Sequence, residues 1–438
     1  MPLAFGPDES SPLVDALLAS LGMTIDRTID TRDEMLAYLQ SEDPEGDRER
    51  ALFQYFRSGA SIADSMSQIL RWRFGDPGRI GVLDFASGYG RVTRFLVREI
   101  PPGRLRVADV YEGGVRFQEE RFGVRGTVAT IRPEDFTSAG RFDAVLVTSL
   151  FTHLPEERFL SWLRVLLGLL APGGMLVFSV HSPEVLPPGV EMPDSGFCFR
   201  ETSESGSLDT RDYGSTWVTE AYVRSVLEAQ GVSVHRLERG LCDFQDLYIA
   251  IPEPGVDFSS LDFQGEPRLW VERAEVSEGR LEIEGWAAVR TGAVREVEVL
   301  LSGERIAAAP IDRPRGDVAE FLGGVGSERF LRCGWACSCS LPIPGILLLR
   351  VVDARGLAHP LFAGSLDALL LAAAKLQVRM LRRDLFYTEA KLTEDLARSA
   401  AEIRGLQARI AAMEASRFWK IRNAWFRVKR ALGMTEET

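Results

Sequence analysis

Residues 82–95 read VLDFASGYGRVTRF. An apolar run of strand length passes into a turn of small residues and then into a helix-like pattern, an order by which several folds hold a nucleotide-like cofactor. The small residues are Ala86, Gly88 and Gly90, spaced by two, and an acid, Asp84, ends the strand itself. A dinucleotide-binding turn would read G-x-G-x-x-G just after the strand. That spacing is not met.

Working outward from the turn, strand-like and helix-like segments alternate from Ile80 to about Ile251. IGVLDF, RLRVADV, FDAVLVTS and GGMLVFSV are apolar runs of strand length with helical patterns between several of them, which implies a largely parallel sheet covered on both faces. A last pair, around VSVHRLERG and FQDLYIAI, is close enough in sequence to form an antiparallel hairpin. Residues 1–79 look mainly helical, with polar breaks at SEDPEGDRER and FGDPGR. The expected α/β domain therefore covers 80–254.

Beyond it, PEPGVDFSSLDFQGEP reads as a linker. LEIEGWAAV, VREVEVLLSGERIAAA and GILLLRVVDARG then show strand patterning with turn residues between them and no convincing helix, so a small all-β sandwich is expected over 266–364. From 366 to 415 the period changes again. Leu371, Val378, Leu385, Leu392, Leu406 and Met413 share one heptad position, and Leu396, Ile403 and Ile410 share its partner. Lys375, Arg382 and Glu389 hold that partner position earlier, so only the second half offers a two-sided seam. A short coiled coil joining two copies of the chain is one reading, and a helix packed back on its own chain is the other.

The chain has 438 residues, 45% of them hydrophobic, enough for two or three packed domains. Its formal charge of −12 argues against a general nucleic-acid binder, which needs clustered Lys and Arg. MPLAFGPDESSPLVDALL has no basic stretch ahead of an apolar core and does not read as a signal peptide. No apolar run nears the ~20 residues needed to cross a bilayer, and a cytoplasmic location is expected. The five cysteines agree, being odd in number with Cys198 and Cys242 isolated. Cys333, Cys337 and Cys339 fall in CGWACSC, whose spacing fits no usual zinc pattern, so reduced thiols in a strand are expected.

The turn DFASGYG does match the D-x-G-x-G-x-G turn of class I S-adenosylmethionine-dependent methyltransferases, which the chain resembles from about Ile80 to Ile251. FDAVLVTSLFTHLPEERFLSWLRVLLGLLAPGGMLVFSV resembles that family's fourth strand, helix, L-x-P-G-G turn and fifth strand. The resemblance implies S-adenosyl-L-methionine as cofactor, with Asp84, Ala86, Gly88 and Gly90 in its turn. It also implies that Asp109, at the end of RLRVADV, accepts hydrogen bonds from both ribose hydroxyls, for which a carboxylate offers two acceptor oxygens in one plane. Asp135, in IRPEDF, stands where the family often has a side chain near the adenine amino group, though a structural loop acid fits there equally. Ala86 departs from the family's usual glycine. The fold implied is a Rossmann-like class I methyltransferase sheet with helices on both faces, followed by the β-sandwich and the C-terminal coiled-coil helix.

Methyl transfer from a sulfonium is an in-line displacement, so the protein must position an acceptor and remove its proton if it is a hydroxyl. His153, in TSLFTHLPEE after the fourth strand, is the expected general base, because imidazole titrates near neutrality; the alternative is that it caps the helix beginning near Pro155. His181, in SVHSPE, is the second candidate. His235 and His359 read as structural. Tyr213, Gln245 and Asp246 lie beside expected strand ends and are open to an acceptor-side role or to packing. No metal is implied, since Thr148 and Ser149 stand where magnesium-dependent relatives carry carboxylates.

SLFTHL, YGSTWVT and FQDLYIA make this portion similar to bacterial enzymes of surface-polysaccharide assembly, and EGWAAV, REVEVLLSGERIA and RPRGDVAEFL are similar to a β-sandwich fused to bacterial glycosyltransferases. That resemblance implies O-methylation of a glycan or lipid-linked sugar; a lipid, quinone or other small-molecule acceptor, or a non-catalytic scaffold recruiting glycan enzymes, are the alternatives. The last stretch, 416–433, puts Phe418, Ile421, Trp425, Val428 and Leu432 on one helical face among six basic residues and no acid. Such a face suits anionic lipid at the inner membrane surface, an acidic protein partner, such as a glycosyltransferase, or the chain's own acidic surface.

Overall fold

The computed structural model describes residues 3–43, 45–137, 140–202, 206–322, 327–340 and 344–432. Met1–Ala373 form one compact unit and Ala374–Thr438 a second.

The chain opens with a two-stranded pair, β1 (Leu3–Phe5) and β2 (Ile29–Asp30), and three helices, α1 (Pro12–Leu21), α2 (Glu34–Glu42) and α3 (Arg48–Phe74). The polar breaks fall where expected. Asp47 caps α3 by accepting from the amides of Glu49 and Arg50, and Gly75, at φ +75°, ends it.

The next segment builds a seven-stranded sheet from β3 (Val82–Phe85), β4 (Leu105–Asp109), β5 (Arg125–Val128), β6 (Phe142–Val147), β7 (Leu170–Val180), β10 (Ser233–Leu241) and β11 (Gln245–Ile251). The order is β10-β11-β7-β6-β3-β4-β5. Strands β3 to β7 run parallel, while β11 pairs antiparallel with both β7 and β10, as the expected hairpin requires. Side chains alternate along each strand and divide between two cores. Val82, Val107, Leu146, Val177 and Ile249 face α1 and α3 together with α4 (Thr93–Leu96) and α5 (Glu112–Phe122). Leu83, Val145, Val147, Phe178 and Tyr248 face α6 (Glu156–Gly168), α7 (Glu220–Glu228) and a two-stranded flap of β8 (Phe197–Arg200) and β9 (Ser215–Val218). In α6 the buried Phe159, Trp162, Leu163 and Leu166 recur at helical spacing, which fixes that face on the sheet.

The stretch expected as a linker packs against α3. Gln68 and Gln264 exchange two hydrogen bonds, of 3.0 and 2.8 Å, Trp72 stacks on Phe258, and Glu266 pairs with Arg57. Two antiparallel sheets follow. One is β12 (Arg268–Ser277), β13 (Arg280–Ala288) and β16 (Gly334–Ser340); the other is β14 (Val294–Leu301), β15 (Glu304–Pro310), β17 (Leu347–Asp353) and β18 (Ala358–Gly364). They enclose a shared core that includes Ile283, Val297, Val299, Trp335, Leu349 and Val351. A short helix, α8 (Gly316–Leu322), departs from the all-β expectation; Val318, Ala319 and Leu322 bury it against Trp286 and Phe330.

The helix α9 (Leu366–Ala415) starts in the first unit, where Leu369 and Ala373 are buried. In the second unit it continues as one helix with Val378, Leu385, Leu392, Leu396, Ile403, Leu406, Ile410 and Met413 exposed. Ser416 then caps α10 (Arg417–Ala431) by accepting from the Trp419 amide at 3.2 Å. Phe418, Ile421, Trp425, Val428 and Leu432 are all exposed. Among the described residues no helix is long and apolar enough to cross a membrane.

Candidate active site at the carboxyl ends of the strands

The chain order reverses between β3 and β6, and a crevice outside the carboxyl ends of the strands is where an open α/β sheet takes its ligand. A cavity of about 780 Å³ lies there. Asp84 lies near the end of β3 and Ala86 leaves it, Asp109 ends β4, Thr148 and Ser149 leave β6, His181 leaves β7 and Gln245 begins the antiparallel β11, and all of them line it.

The turn after β3 explains why its small residues are spaced by two. Ala86, Gly88 and Gly90 have φ of +59°, +57° and +77°, so every second residue is left-handed. A side chain at Gly90 would come within 2.4 Å of the Phe122 ring and 2.9 Å of Gln118, whereas one at Gly88 would meet nothing within 4 Å. Gly90 is therefore small for packing, and Gly88 leaves open space beside the cavity. Ala86 carries its methyl in a conformation that costs roughly 1–2 kcal/mol outside glycine, which accounts physically for the usual glycine there.

Asp109 closes the turn from the next strand. Its Oδ2 accepts from the Gly88 amide at 2.7 Å and its Oδ1 from the Tyr111 amide at 2.9 Å. Burial holds its carboxyl above the usual range; the amides of Tyr111 and Gly88 oppose this and the nearby Asp33 adds to it. Each oxygen keeps acceptor capacity beyond the amide it serves. Asp84 is buried deeper. It accepts from Thr93 Oγ1 at 2.7 Å, and burial pushes it up to about 7. Gln118 completes the cradle by donating to Ser87 Oγ and to the Gly88 carbonyl, both at 2.9 Å.

Two contributions have no counterpart in the sequence motifs. Arg94 is fully buried, donating to the Gly90 carbonyl at 3.0 Å and the Thr28 carbonyl at 3.0 Å while stacking on Tyr55, Phe56 and Phe122. It ties the turn to the N-terminal region. That region also supplies a wall of the cavity, with Asp33, Met35 and Tyr38 from the α2 end and Gln54, Arg57 and Ser58 from α3. Asp135 lies elsewhere. It is exposed in a short 3-10 turn outside the cavity lining, and Ala129, Thr130 and Ile131 line that side.

On the opposite side, His153 and His181 face each other with ring centroids 6.4 Å apart. His153 is held from both ends by one residue of the flap. Its Nδ1 lies 2.7 Å from the Gly214 carbonyl oxygen, and the Gly214 amide donates to the His153 carbonyl at 2.8 Å. A carbonyl only accepts, so Nδ1 carries the proton and Nε2 the lone pair. Tyr213 stacks on the ring at 4.4 Å. Burial lowers the His153 pKa, with the Gly214 contact opposing it, so the ring is neutral at pH 7. His181 is pushed down to about 4 by burial and then by His153, and its buried Nδ1 has no partner among the described residues. Ser149, left-handed at φ +60°, donates its amide to Ser179 Oγ at 2.8 Å and exchanges side-chain contacts of 3.1–3.2 Å with Gln245.

The remaining candidates lie outside the cavity lining. Asp246 is buried against Arg236 at 2.7 Å and the Arg239 amide at 2.8 Å. His235 stacks on Phe258, and His359 Nε2 bonds Asp353 at 3.0 Å. Cys337 and Cys339 lie in β16.

Residues 82–174 match the family model described as a methyltransferase domain. No curated protein sequence matches the chain. Among solved structures, DesVI of Streptomyces venezuelae is 19% identical over 45% of this chain and 92% of its own, with a TM-score of 0.35. The sugar N-methyltransferase KedS8 of a Streptoalloteichus species is 19% identical over 44% and 88%, TM-score 0.34. An amino pentose methyltransferase of Micromonospora echinaspora involved in calicheamicin biosynthesis is 16% identical over 44% and 91%, TM-score 0.34. These likenesses assign no acceptor to this chain. The strand order, the left-handed turn and the matched family model agree: the chain carries a methyltransferase domain, matched over residues 82–174, within a mostly parallel sheet flanked by helices.

Proposed function

We propose that the protein O-methylates a sugar or lipid-linked glycan in surface-polysaccharide assembly, with His153 as general base. The observation that carries this reading is the fixed tautomer of His153: Nδ1 is committed to the Gly214 carbonyl in a buried position, leaving Nε2 as an acceptor in the cavity.

The cavity fits the cofactor, because Gly88 leaves its side of the turn open and Asp109 keeps acceptor capacity for two hydroxyls. When bound, S-adenosylmethionine supplies a methyl group on a sulfonium. Asp109 and the turn would hold its ribose and amino-acid portions. His153 Nε2 would take the acceptor's hydroxyl proton as the new C–O bond replaces the methyl's C–S bond, with S-adenosylhomocysteine as the leaving group, and the Gly214 carbonyl would stabilise the imidazolium that results. His181 lines the same cavity, and its buried Nδ1 is without a partner among the described residues. Ser149, Gln245 and Tyr213 add hydroxyl and amide groups to this wall, which suits a polyol. Comparing surface glycans by mass spectrometry in cells with and without the protein tests the reading. Loss of a methyl from one sugar supports it, and an unchanged glycan profile removes the polysaccharide role.

In the same reading, a second copy covers the exposed heptad seam of α9, and α10 holds the enzyme at the cytoplasmic face of an anionic membrane or on a glycosyltransferase. The support is the exposure of Leu396, Ile403 and Ile410 in the first case and of Phe418, Ile421 and Trp425 in the second. Removal of residues 416–438 should abolish sedimentation with anionic vesicles; undiminished sedimentation rules out the lipid role.

A further inference from the structure

Five arginines line the cavity, and four of them meet a carboxylate. Arg32 pairs with Asp30 at 2.8 Å, Arg50 with Asp43 at 2.9 Å, Arg158 with Asp212 at 2.7 Å, and Arg57 with Glu266. Arg91 is the exception. It is half-buried, and among the described residues its side chain meets a single neutral partner, the Ser58 hydroxyl, to which Nη1 donates at 2.8 Å. The chain holds 63 acidic against 51 basic residues, so an unpaired guanidinium in an enclosed space is not a shortage of acids. Asp33 lies within electrostatic range, but its two oxygens serve the Tyr55 hydroxyl at 2.5 Å and the Met35 amide at 3.0 Å.

The position of Arg91 is also fixed. It follows Gly90 directly, and α3 crosses its backbone so closely that a side chain at Gly59 would come within 2.4 Å of the Arg91 carbonyl oxygen. A guanidinium presents its donors in a rigid planar fork suited to two-pronged bonding of a carboxylate or phosphate, and removing it from bulk water without a counter-charge is costly. We propose that Arg91, with Ser58 beside it, is an anion subsite of the cavity that takes a carboxylate or phosphate group of a bound ligand. Two ligands could bring that group: the amino-acid carboxylate of the cofactor, which rests on the methyltransferase reading above, or a phosphate on the acceptor, as in a sugar phosphate or lipid-linked sugar.

The test uses the full-length protein and its Arg91→Met, Arg91→Gln and Arg91→Lys variants, each checked for a wild-type melting transition. Titration calorimetry measures S-adenosylhomocysteine, 5′-methylthioadenosine, which lacks the carboxylate, and inorganic pyrophosphate, the last added both to the free protein and to protein with excess S-adenosylhomocysteine. A tenfold or greater loss for S-adenosylhomocysteine but not for methylthioadenosine, largely restored in Arg91→Lys, assigns the subsite to the cofactor. An unchanged S-adenosylhomocysteine affinity with a similar loss for pyrophosphate assigns it to the acceptor. If folded Arg91→Met and Arg91→Gln bind all three probes like wild type, or if wild type binds neither anion, the subsite is refuted. Failure of wild type to bind S-adenosylhomocysteine would instead refute the cofactor reading, while the pyrophosphate arm still decides the subsite.

Discussion

Replacing Asp109 by alanine should separate two functions that its carboxylate combines. The side chain accepts from the Gly88 amide at 2.7 Å and the Tyr111 amide at 2.9 Å, so its loss orphans two donors next to the turn. A buried unsatisfied amide costs ~1–3 kcal/mol; Gly88 borders the cavity, where water can replace the lost acceptor, so the combined loss of stability should stay near ~1–3 kcal/mol. The fold should survive with a lowered melting temperature. Cofactor affinity should fall further, because hydrogen bonds from hydroxyls to a charged acceptor contribute ~1.5–3 kcal/mol, or about 10- to 150-fold in Kd. Asp109→Asn should lie nearer to alanine than to wild type, since its amide group turns a donor toward one of the two backbone donors. Calorimetric titration with S-adenosylhomocysteine, alongside thermal unfolding, measures both effects. A folded Asp109→Ala variant with wild-type affinity would remove the carboxylate from the cofactor site.

Other perturbations follow from the same geometry. A methyl at Gly214 would come within 2.2 Å of the Arg200 carbonyl oxygen and 2.7 Å of the Phe199 ring, so Gly214→Ala should displace the flap, release His153 and slow methyl transfer by about tenfold or more while sparing cofactor affinity; an unchanged rate would show that the Gly214 contact is dispensable. Ala86→Val places a β-branched residue at φ +59° and should destabilise the fold by about 1–2 kcal/mol in reversible unfolding, whereas wild-type stability would mean that the turn relaxes freely. His181 titrates at about 4 in the folded chain against 6.5 unfolded, so the unfolded state binds more protons below pH 6.5 and stability falls as pH drops toward 4. Relative to His181→Asn, wild type should lose about 2 kcal/mol between pH 7 and pH 5 in denaturant titrations, and a pH-independent difference would contradict the buried neutral imidazole.

The legible parts of the chain are those where burial forces an apolar run. Four inner strands and the hairpin could be read because both faces of that sheet are covered. Strand β5, RGTV, gave no such signal: it is an edge strand, its residues are exposed or half-exposed, and an edge needs no apolar sequence. The turn could be read because alternate left-handed residues demand small side chains, and Asp109 because it must end the neighbouring strand. Asp135 could not be placed, since the loop after β5 has no period that fixes which residue turns inward. The N-terminal wall and Arg94 were invisible for another reason. Their roles come from packing between segments distant in sequence, as when Arg94 reaches the Thr28 carbonyl, and no local pattern records such a contact. The tight packing of 252–267 against α3 was likewise hidden by a loop-like composition.

The most direct test of the account is transfer of a labelled methyl group from S-adenosylmethionine to glycan extracted from cells lacking the protein, with purified wild type and His153→Ala in parallel. Wild type should label a sugar hydroxyl, and His153→Ala should do so about 10²- to 10⁴-fold more slowly with cofactor affinity nearly unchanged. Absence of label with cofactor-saturated wild type would contradict the glycan acceptor, and a variant within about twofold of wild type would contradict His153 as the base.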